Sequence, residues 1–91
     1  MDPVIYINKI VDVVVVFNHK NNPNICMPIR IRYQNKNIDL IELGLRHPTR
    51  KGSRSIHIFD MSDGQNDYRL EFDSESLLWK LIAITNTNYY V

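Results

Sequence analysis

The stretch Ser55–Asp73, SIHIFDMSDGQNDYRLEFD, decides the fold class of this chain. Its first part, Ser55–Met61, has strand character, and Asp63–Gly64 is a residue pair typical of a tight hairpin turn. After the turn, apolar and charged residues alternate, which places successive side chains of a strand on opposite faces. The stretch therefore predicts a β-hairpin with a buried face formed by Tyr68, Leu70 and Phe72 and an exposed face bearing Asp67, Arg69, Glu71 and Asp73.

The residues downstream of this hairpin predict one more strand. Polar residues over Asp73–Ser76 indicate a turn, and we interpret Leu77–Ile84 as a final strand bearing Trp79 and Leu81. A helix over Ser74–Ile84, capped by Ser74 or Ser76, is the alternative. The clustering of isoleucine and tryptophan favours the strand. The tail Thr85–Val91 is expected to be frayed.

Upstream, Ile10–Phe17 (IVDVVVVF) is a short apolar run rich in valine. Such a run is typical of a strand covered on both faces, so we expect it to be the central strand. His19–Asn24 then has the Asn and Pro content of a loop. The next segment, Met27–Gln34, alternates cleanly and predicts a strand with Ile29, Ile31 and Tyr33 inward and Arg30, Arg32 and Gln34 outward.

Asn35–Lys36 predicts a tight reversal, because Asn tolerates the left-handed backbone conformations of hairpin turns. A strand over Asn37–Leu45 follows, with irregular apolar spacing that predicts a bulge near Leu40–Ile41 and a bend at Gly44. Together these segments predict an all-β domain spanning residues 1–84. We expect about six antiparallel strands in a meander that forms a small barrel or a strongly bent sheet.

The composition fits one small globular domain. The chain has 91 residues, of which 44% are hydrophobic and 23% charged, and this argues against a second domain and against extended disorder. The net charge of +1 hides an asymmetry: residues 1–59 hold nine Lys and Arg and four acids (+5), whereas residues 60–91 hold two and six (−4). Such a chain can present separate basic and acidic surfaces to a partner or to a second copy. Interleaving of the charges as cross-strand pairs is the other interpretation.

The cysteine content and the termini bear on location. The single cysteine, Cys26, has no partner for a disulfide within the chain, so we expect a reducing, cytoplasmic environment. The start of the sequence, MDPVIYINK, lacks the basic leader and small-residue cleavage site of a secretion signal. The longest apolar run, Val13–Phe17, is far shorter than the roughly 20 residues of a membrane-spanning helix. We therefore expect neither export nor membrane insertion.

The segment Gly44–Phe59, GLRHPTRKGSRSIHIF, gathers basic residues in what we predict to be a loop between two strands. Arginine, lysine and backbone amides near Gly52 would suit a phosphate or another anion. Outward arginines on the neighbouring strand would extend this positive surface. A merely solubilising role is the alternative. The candidate anion- or nucleic-acid-binding residues are Arg30, Arg32, Arg46, His47, Arg50, Lys51, Arg54 and His57.

His47 and His57 also permit an enzyme hypothesis, general acid–base catalysis on a phosphodiester. A metal site built from Cys26 and these histidines is not expected, because the sequence lacks the close ligand pairs of zinc sites. The sequence contains no phosphate-binding glycine loop, nucleophile elbow or zinc-protease motif. We therefore assign no catalytic residue, and we expect no cofactor.

The run Pro28–Leu81 resembles a family of small uncharacterised proteins from candidate-phylum (Patescibacteria-like) bacteria. The segments that carry the resemblance are PIRIRYQNKNIDLI, GLRHPTRKGSRSIHIF, DG followed by YRLEFD, and WKL. The resemblance implies a compact β domain and brings no assigned activity. The matching positions are Gly44, His47, Arg50, Lys51, Gly52, His57, Phe59, Arg69, Leu70, Asp73, Trp79 and Leu81.

These observations leave three function classes. A non-enzymatic interaction module, which binds a protein partner or a second copy through an unpaired sheet edge, best fits a small β domain without catalytic motifs. Binding of nucleic acid or another polyanion through residues 46–54, Arg30 and Arg32 is the alternative. An enzyme acting on phosphodiesters is the third hypothesis.

Overall fold

The chain folds as an all-β domain, as its sequence predicts. A computed structural model describes residues 3–21 and 25–86, and this part of the chain contains eight strands and one short 3-10 turn, His19–Asn21. All strand pairings are antiparallel. The strands are β1 (Val4–Ile10), β2 (Asp12–Phe17), β3 (Cys26–Tyr33), β4 (Lys36–Asp39), β5 (Glu42–Lys51), β6 (Arg54–Ser62), β7 (Asn66–Asp73) and β8 (Leu78–Asn86).

The strands form two sheets, a large one in the order β1-β8-β7-β6-β5 and a small one in the order β2-β3-β4. The chain passes between the sheets at two junctions, Val11 and Leu40–Ile41. The Val11 amide donates to the carbonyl oxygen of Trp79 (3.1 Å), and the Ile41 amide donates to that of Ser62 (2.8 Å). At each junction the two flanking strands, β1 and β2 or β4 and β5, therefore run on as one bent strand. Counted in this way, the eight strands form a six-stranded meander. The sheets do not close into a barrel.

The predicted bulge near Leu40–Ile41 is therefore wrong, because the chain changes sheet at that point. The irregularity of this segment lies at Gly44 instead. Leu43 is opposite Met61 and Leu45 is opposite Asp60, which leaves Gly44 unpaired as the extra residue of a β-bulge. A Cβ atom at Gly44 would lie 3.3 Å from the carbonyl oxygen of Asp60, so the close backbone approach favours glycine.

The core lies between the inward faces of the two sheets. Phe59 of β6 is opposite Leu70 of β7, which is opposite Leu81 of β8, and Ile31 of β3 joins this cluster from the small sheet. The predicted inward positions of Ile31, Tyr33, Tyr68 and Leu70 are confirmed, and Phe72 is half-buried at the margin. The buried cluster consists of Ile31, Leu40, Phe59, Met61, Tyr68, Leu70, Trp79 and Leu81.

Two predictions about the small sheet are wrong. Ile29 is not a core residue, because Val14 is opposite Arg30 and Val15 is opposite Pro28, which makes Ile29 the extra residue of a bulge. The valine run does not form a central strand either. It divides at Val11, and β2 is an edge strand that pairs with β3 alone. A strand covered on only one face and one edge leaves part of its apolar surface in water.

The hairpin between β3 and β4 turns one residue earlier than predicted. Tyr33 and Lys36 are the last paired residues, so Gln34–Asn35 rather than Asn35–Lys36 occupies the turn. Both turn residues have positive φ, 52° and 61°. This is the pattern of a type I′ turn, whose twist matches that of the strands beside it.

The last strand, β8, confirms the strand interpretation over the helix. Thr85–Asn86 extend this strand beyond the predicted end of the domain, and the rest of the predicted frayed tail, residues 87–91, lies outside the described residues. The residues that connect β7 to β8 form turns. Among residues 3–21 and 25–86, no helix is long and apolar enough to cross a membrane.

Leu77, the last residue before β8, has φ of 62° and a side chain that is 69% exposed. We expect Leu77→Gly to raise the free energy of unfolding by about 0.5–1 kcal/mol. A left-handed conformation costs an L-residue roughly 1–2 kcal/mol, which glycine avoids. The greater backbone freedom of glycine in the unfolded chain offsets part of that gain. Thermal and urea unfolding measure the change. The control is Leu78→Gly, which removes the same side chain from within the strand and is expected to destabilise. Equal effects of the two substitutions would contradict the role of the backbone conformation.

Candidate binding cleft

The predicted basic loop is a β-hairpin. Residues 46–51 belong to β5, residues 54–59 belong to β6, and Gly52–Ser53 form the two-residue turn between them. Gly52 has φ of 64° and Ser53 is not among the residues with positive φ, which is the arrangement of a type II′ turn. Because successive side chains of a strand point to opposite faces, the hairpin divides its basic residues between two faces of the large sheet.

Two of these cations are neutralised on the outward face of the large sheet. Lys51 Nζ lies 2.8 Å from Glu71 Oε1, and Arg54 Nη1 lies 2.6 Å from Asp73 Oδ2. The Glu75 amide, which donates to Asp73, and then the Arg54 guanidinium hold the pKa of the Asp73 carboxyl below its usual value, against the opposing effect of burial. These ion pairs confirm, for this hairpin, the cross-strand interleaving of charge.

The arginines of the small sheet are also engaged. Arg30 Nε donates to Asp39 Oδ1 at 2.6 Å, and Arg32 Nη1 donates to Asn37 Oδ1 at 3.1 Å. Both contacts join β3 to β4 on the outward face of the small sheet. Arg30 and Arg32 therefore lie on a different surface from Lys51 and Arg54, and the candidate cations do not form one continuous positive surface.

His47 and His57 lie on opposite faces of the large sheet. Pro48 is opposite His57 and His47 is opposite Ile58, so the two imidazoles point away from each other across the sheet. A general acid and a general base acting on one phosphodiester must reach the same substrate. This arrangement does not favour the acid–base hypothesis. In the described part of the chain, no group of three His, Cys, Asp or Glu residues is placed to hold a metal ion.

Pairs of candidate residues line more than one cavity. Lys51 and Arg54 line one on the outward face of the large sheet, and Arg30 and Arg32 line a small one on the small sheet. Arg46 and His57 line a third, between the two sheets. Arg46 is opposite Phe59, and both belong to the inward side of the large sheet. With residues from the ends of β2 and β3 they line a cleft of about 360 Å³ between the two sheets, here called the inter-sheet cleft. Its lining residues are Phe17, Ile25, Cys26, Arg46, His57, Phe59 and Phe72.

The walls of the inter-sheet cleft are mainly aromatic. The Phe72 and His57 rings lie 6.4 Å apart between centroids, and the Phe72 ring lies 4.9 Å from that of Trp79. Burial raises the pKa of the Cys26 thiol, and the positive charge of Arg46 acts in the opposite direction. The thiol is therefore neutral at physiological pH and adds to the apolar character of the wall.

Sequence reasoning found the polar residues of the inter-sheet cleft but not its walls. It assigned Phe72 to the core and Phe17 to a central strand. Each assignment was correct about local strand character. The sequence did not show that the large sheet meets the ends of β2 and β3 and leaves the inter-sheet cleft between them, because this gap depends on how the two sheets pack.

No protein-family model, curated protein or solved structure matches this chain.

Proposed function

We propose that this chain is a non-enzymatic interaction module that associates through the outer edge of β2 and that its partner is a second copy of itself. The observation that carries the proposal is that β2 is an apolar edge strand without protection. Val14 is 50% exposed, Val16 41% and Phe17 70%. An exposed apolar edge with free backbone groups is a template for pairing with another strand.

The other edge strands of the described residues carry features that oppose such pairing. β1 contains a bulge, with Asn8 at φ 55°, and a lysine beside it. β5 contains the Gly44 bulge, Pro48 and several basic residues, and β4 is only four residues long. In β2, by contrast, Asp12 is the only charged residue, and the bulge at this pairing lies in β3.

The backbone of β2 offers a regular set of bonding groups at this edge. The Asn18 amide donates to the carbonyl oxygen of Ile25, on the side of β3, whereas the Val11 amide donates to Trp79 on the other side. Because these directions alternate along a strand, the odd-numbered residues turn their N–H and C=O groups outward. Val13, Val15 and Phe17 thus present six groups to a partner strand.

A second β2 strand can use all six groups. In an antiparallel pair related by a two-fold axis at Val15, Val13 is opposite the partner's Phe17 and each Val15 is opposite the partner's Val15. The two Asp12 side chains then lie at opposite ends of the pair, where each is opposite the partner's Asn18. The like charges are thereby kept apart, and the two small sheets become one continuous sheet of six strands.

This register gives a charge test on the outward face of β2, where Val14 would be opposite the partner's Val16. We expect Val14→Asp/Val16→Asp to place two like-charged pairs across the interface and to raise the dissociation constant at least about tenfold. Val14→Asp/Val16→Lys is the matched control, because it pairs opposite charges and should retain the dimer. Light scattering and sedimentation over a concentration series measure the dissociation constants.

The two variants share the Val14→Asp substitution, at a position opposite Arg30 of the same chain, so they differ only in the charge at position 16. Equal dissociation constants of the two variants would show that residues 14 and 16 of the two chains are not opposite each other in this register. A wild-type chain that stays monomeric up to millimolar concentration would overturn self-association, and a growing aggregate in place of a closed dimer would overturn the two-fold arrangement.

The polyanion alternative is less favoured by the distribution of charge. Its candidate cations lie on separate surfaces, and three of them, Arg30, Lys51 and Arg54, are ion-paired. Phosphate binding makes affinity fall steeply with salt concentration. Titration of labelled RNA and DNA at two salt concentrations distinguishes the alternatives, because a strong salt-dependent response would favour the polyanion over the edge-strand module.

A further inference from the structure

We infer that the inter-sheet cleft is a binding site for a small organic anion, an aromatic body bearing a carboxylate or phosphate group, with Arg46 as the residue that holds the anionic group. The inference goes beyond the proposed function, because it assigns a ligand site within one chain. It depends on three observations: the charge around Arg46, the apolar walls of the cleft and the position of a second polar side chain.

The charge around Arg46 is not compensated among the described residues. No carboxylate of the described residues lies within ion-pair distance of it, although Lys51 and Arg54 of the same hairpin both have such a partner. The ladder pairings explain the difference. The pairing of β6 with β7 places the acidic side chains of both strands on the outward face of the large sheet, whereas Arg46 lies on the inward face. These acids are Asp60, Asp67, Glu71 and Asp73.

The walls beside Arg46 suit an aromatic body. Phe59 and Phe72 line the inner part of the inter-sheet cleft, and Phe17 and Ile25 line its side toward the small sheet. Phe17 is 70% exposed and Ile25 44%, so a bound ring would cover apolar surface that otherwise meets water. The volume of about 360 Å³ lies at the lower end of the range for small-molecule sites.

His57 supplies a second polar group at the same cleft. Its imidazole lies beside Phe72, so a ligand ring against Phe72 would bring its substituent near both His57 and Arg46. A guanidinium binds a carboxylate or phosphate through two parallel hydrogen bonds, and such bonds are stronger where apolar walls exclude water. The combination selects an anion over a neutral ligand of the same shape.

The test compares 1-naphthoate with its neutral isostere 1-naphthamide, by NMR titration of the full chain. We expect 1-naphthoate to bind with a dissociation constant on the order of 0.1–1 mM and 1-naphthamide to bind about tenfold more weakly. Arg46→Gln should remove this preference. Arg50→Gln is the matched control, because Arg50 follows on the same side of β5 but does not line the cleft, and it should leave both affinities unchanged.

Three results would overturn the inference: no saturable binding of 1-naphthoate, equal affinities for the two compounds, or an equal effect of Arg46→Gln and Arg50→Gln. Phe17→Ala gives a second readout at an exposed position and should weaken both compounds about equally. The Val14→Asp/Val16→Asp variant should bind 1-naphthoate as the wild type does. Loss of binding in that variant would contradict a site contained in one chain, whatever the oligomeric state.

Discussion

Replacement of Phe59 with alanine lowers the free energy of unfolding by about 3–5 kcal/mol, the largest effect we expect of a single substitution in this chain. Phe59 is 1% exposed and is opposite Leu70 in the ladder. Its ring lies 5.4 Å from that of Trp79. The substitution removes apolar side-chain atoms that folding buries away from water. It also leaves a cavity that the closely packed strands fill only in part.

A domain of this length has a total stability of about 5–10 kcal/mol, so Phe59→Ala brings the chain close to global unfolding. Urea unfolding followed by the fluorescence of Trp79 measures the change. Phe17→Ala is the control, because it makes the same chemical change at a side chain that is largely exposed, and we expect its effect to stay below about 1 kcal/mol. A similar loss from both substitutions would contradict the assignment of the core.

Replacement of Asp63 with alanine lowers the free energy of unfolding by about 2–3 kcal/mol, the second-largest effect we expect. Asp63 Oδ1 accepts hydrogen bonds from the amides of Gln65 (2.8 Å) and Asn66 (2.7 Å). Its Oδ2 accepts a hydrogen bond from the hydroxyl of Tyr68 at 2.7 Å. The substitution therefore loosens the turn and leaves the hydroxyl of a buried tyrosine without its acceptor.

Two further variants separate these contributions. Tyr68→Phe removes only the hydroxyl contact, and Asp63→Asn keeps an oxygen acceptor but removes the charge. We expect both to cost less than Asp63→Ala in equilibrium unfolding. If Asp63→Asn were as destabilising as Asp63→Ala, the charge rather than the turn hydrogen bonds would be responsible.

The same contact gives stability a definite pH dependence. Burial acts to raise the pKa of the Asp63 carboxyl, but the hydrogen bonds from Asn66, Tyr68 and Gln65 outweigh it and hold the pKa below its usual value. The unfolded carboxyl, with a pKa of about 4, binds a proton more readily than the folded one. Its contribution is therefore present above about pH 4 and is lost as pH falls through the lower pKa of the folded state.

Tyr68 gives the stability a second pH dependence, at alkaline pH. Burial, and then the hydrogen bond to Asp63, raise its pKa to about 12. The neutral phenol is thus favoured by folding, so its contribution is present below the unfolded pKa of about 10 and is lost as pH rises through about 12. Asp63→Ala should remove the pH dependence that Asp63 gives at the acid end and should only reduce that of Tyr68 at the alkaline end, because burial is the larger cause there.

Strand character over Ser55–Met61, the Asp63–Gly64 pair and the period-two alternation after it were enough to predict β6, the turn and β7. The alternation is clean in β7 because Tyr68 and Leu70 lie on its buried face. The same rule failed at Ile29, where one extra residue in β3 shifts the alternation. It failed again for Ile10–Phe17, because an apolar edge strand and an apolar central strand have the same composition. Local pattern identifies strand character, but the position of a strand in its sheet depends on pairing with distant residues.

The candidate site, like the fold, was only partly predictable from local sequence. Charge and residue type drew attention to Arg46 and His57, which do line one cleft, and also to Arg30, Lys51 and Arg54, which are engaged in ion pairs. Sequence spacing did not distinguish the two groups. The difference depends on which face of β5 and β6 each side chain occupies and on which acids of β7 share that face.

The pairing of β1 with β8 has a consequence for the order of assembly. Strand β1 lies beside β8, with Val4 opposite Thr85 and Ile10 opposite Lys80. While the ribosome extends the chain, β1 has no neighbour in its sheet until the other seven strands have been synthesised. The hairpins of β5 to β8 close short loops and form rapidly, whereas the β1–β8 contact must close a loop of most of the chain, at a greater cost in entropy. The completion of the large sheet is thus a late step in folding, which waits for the synthesis of β8.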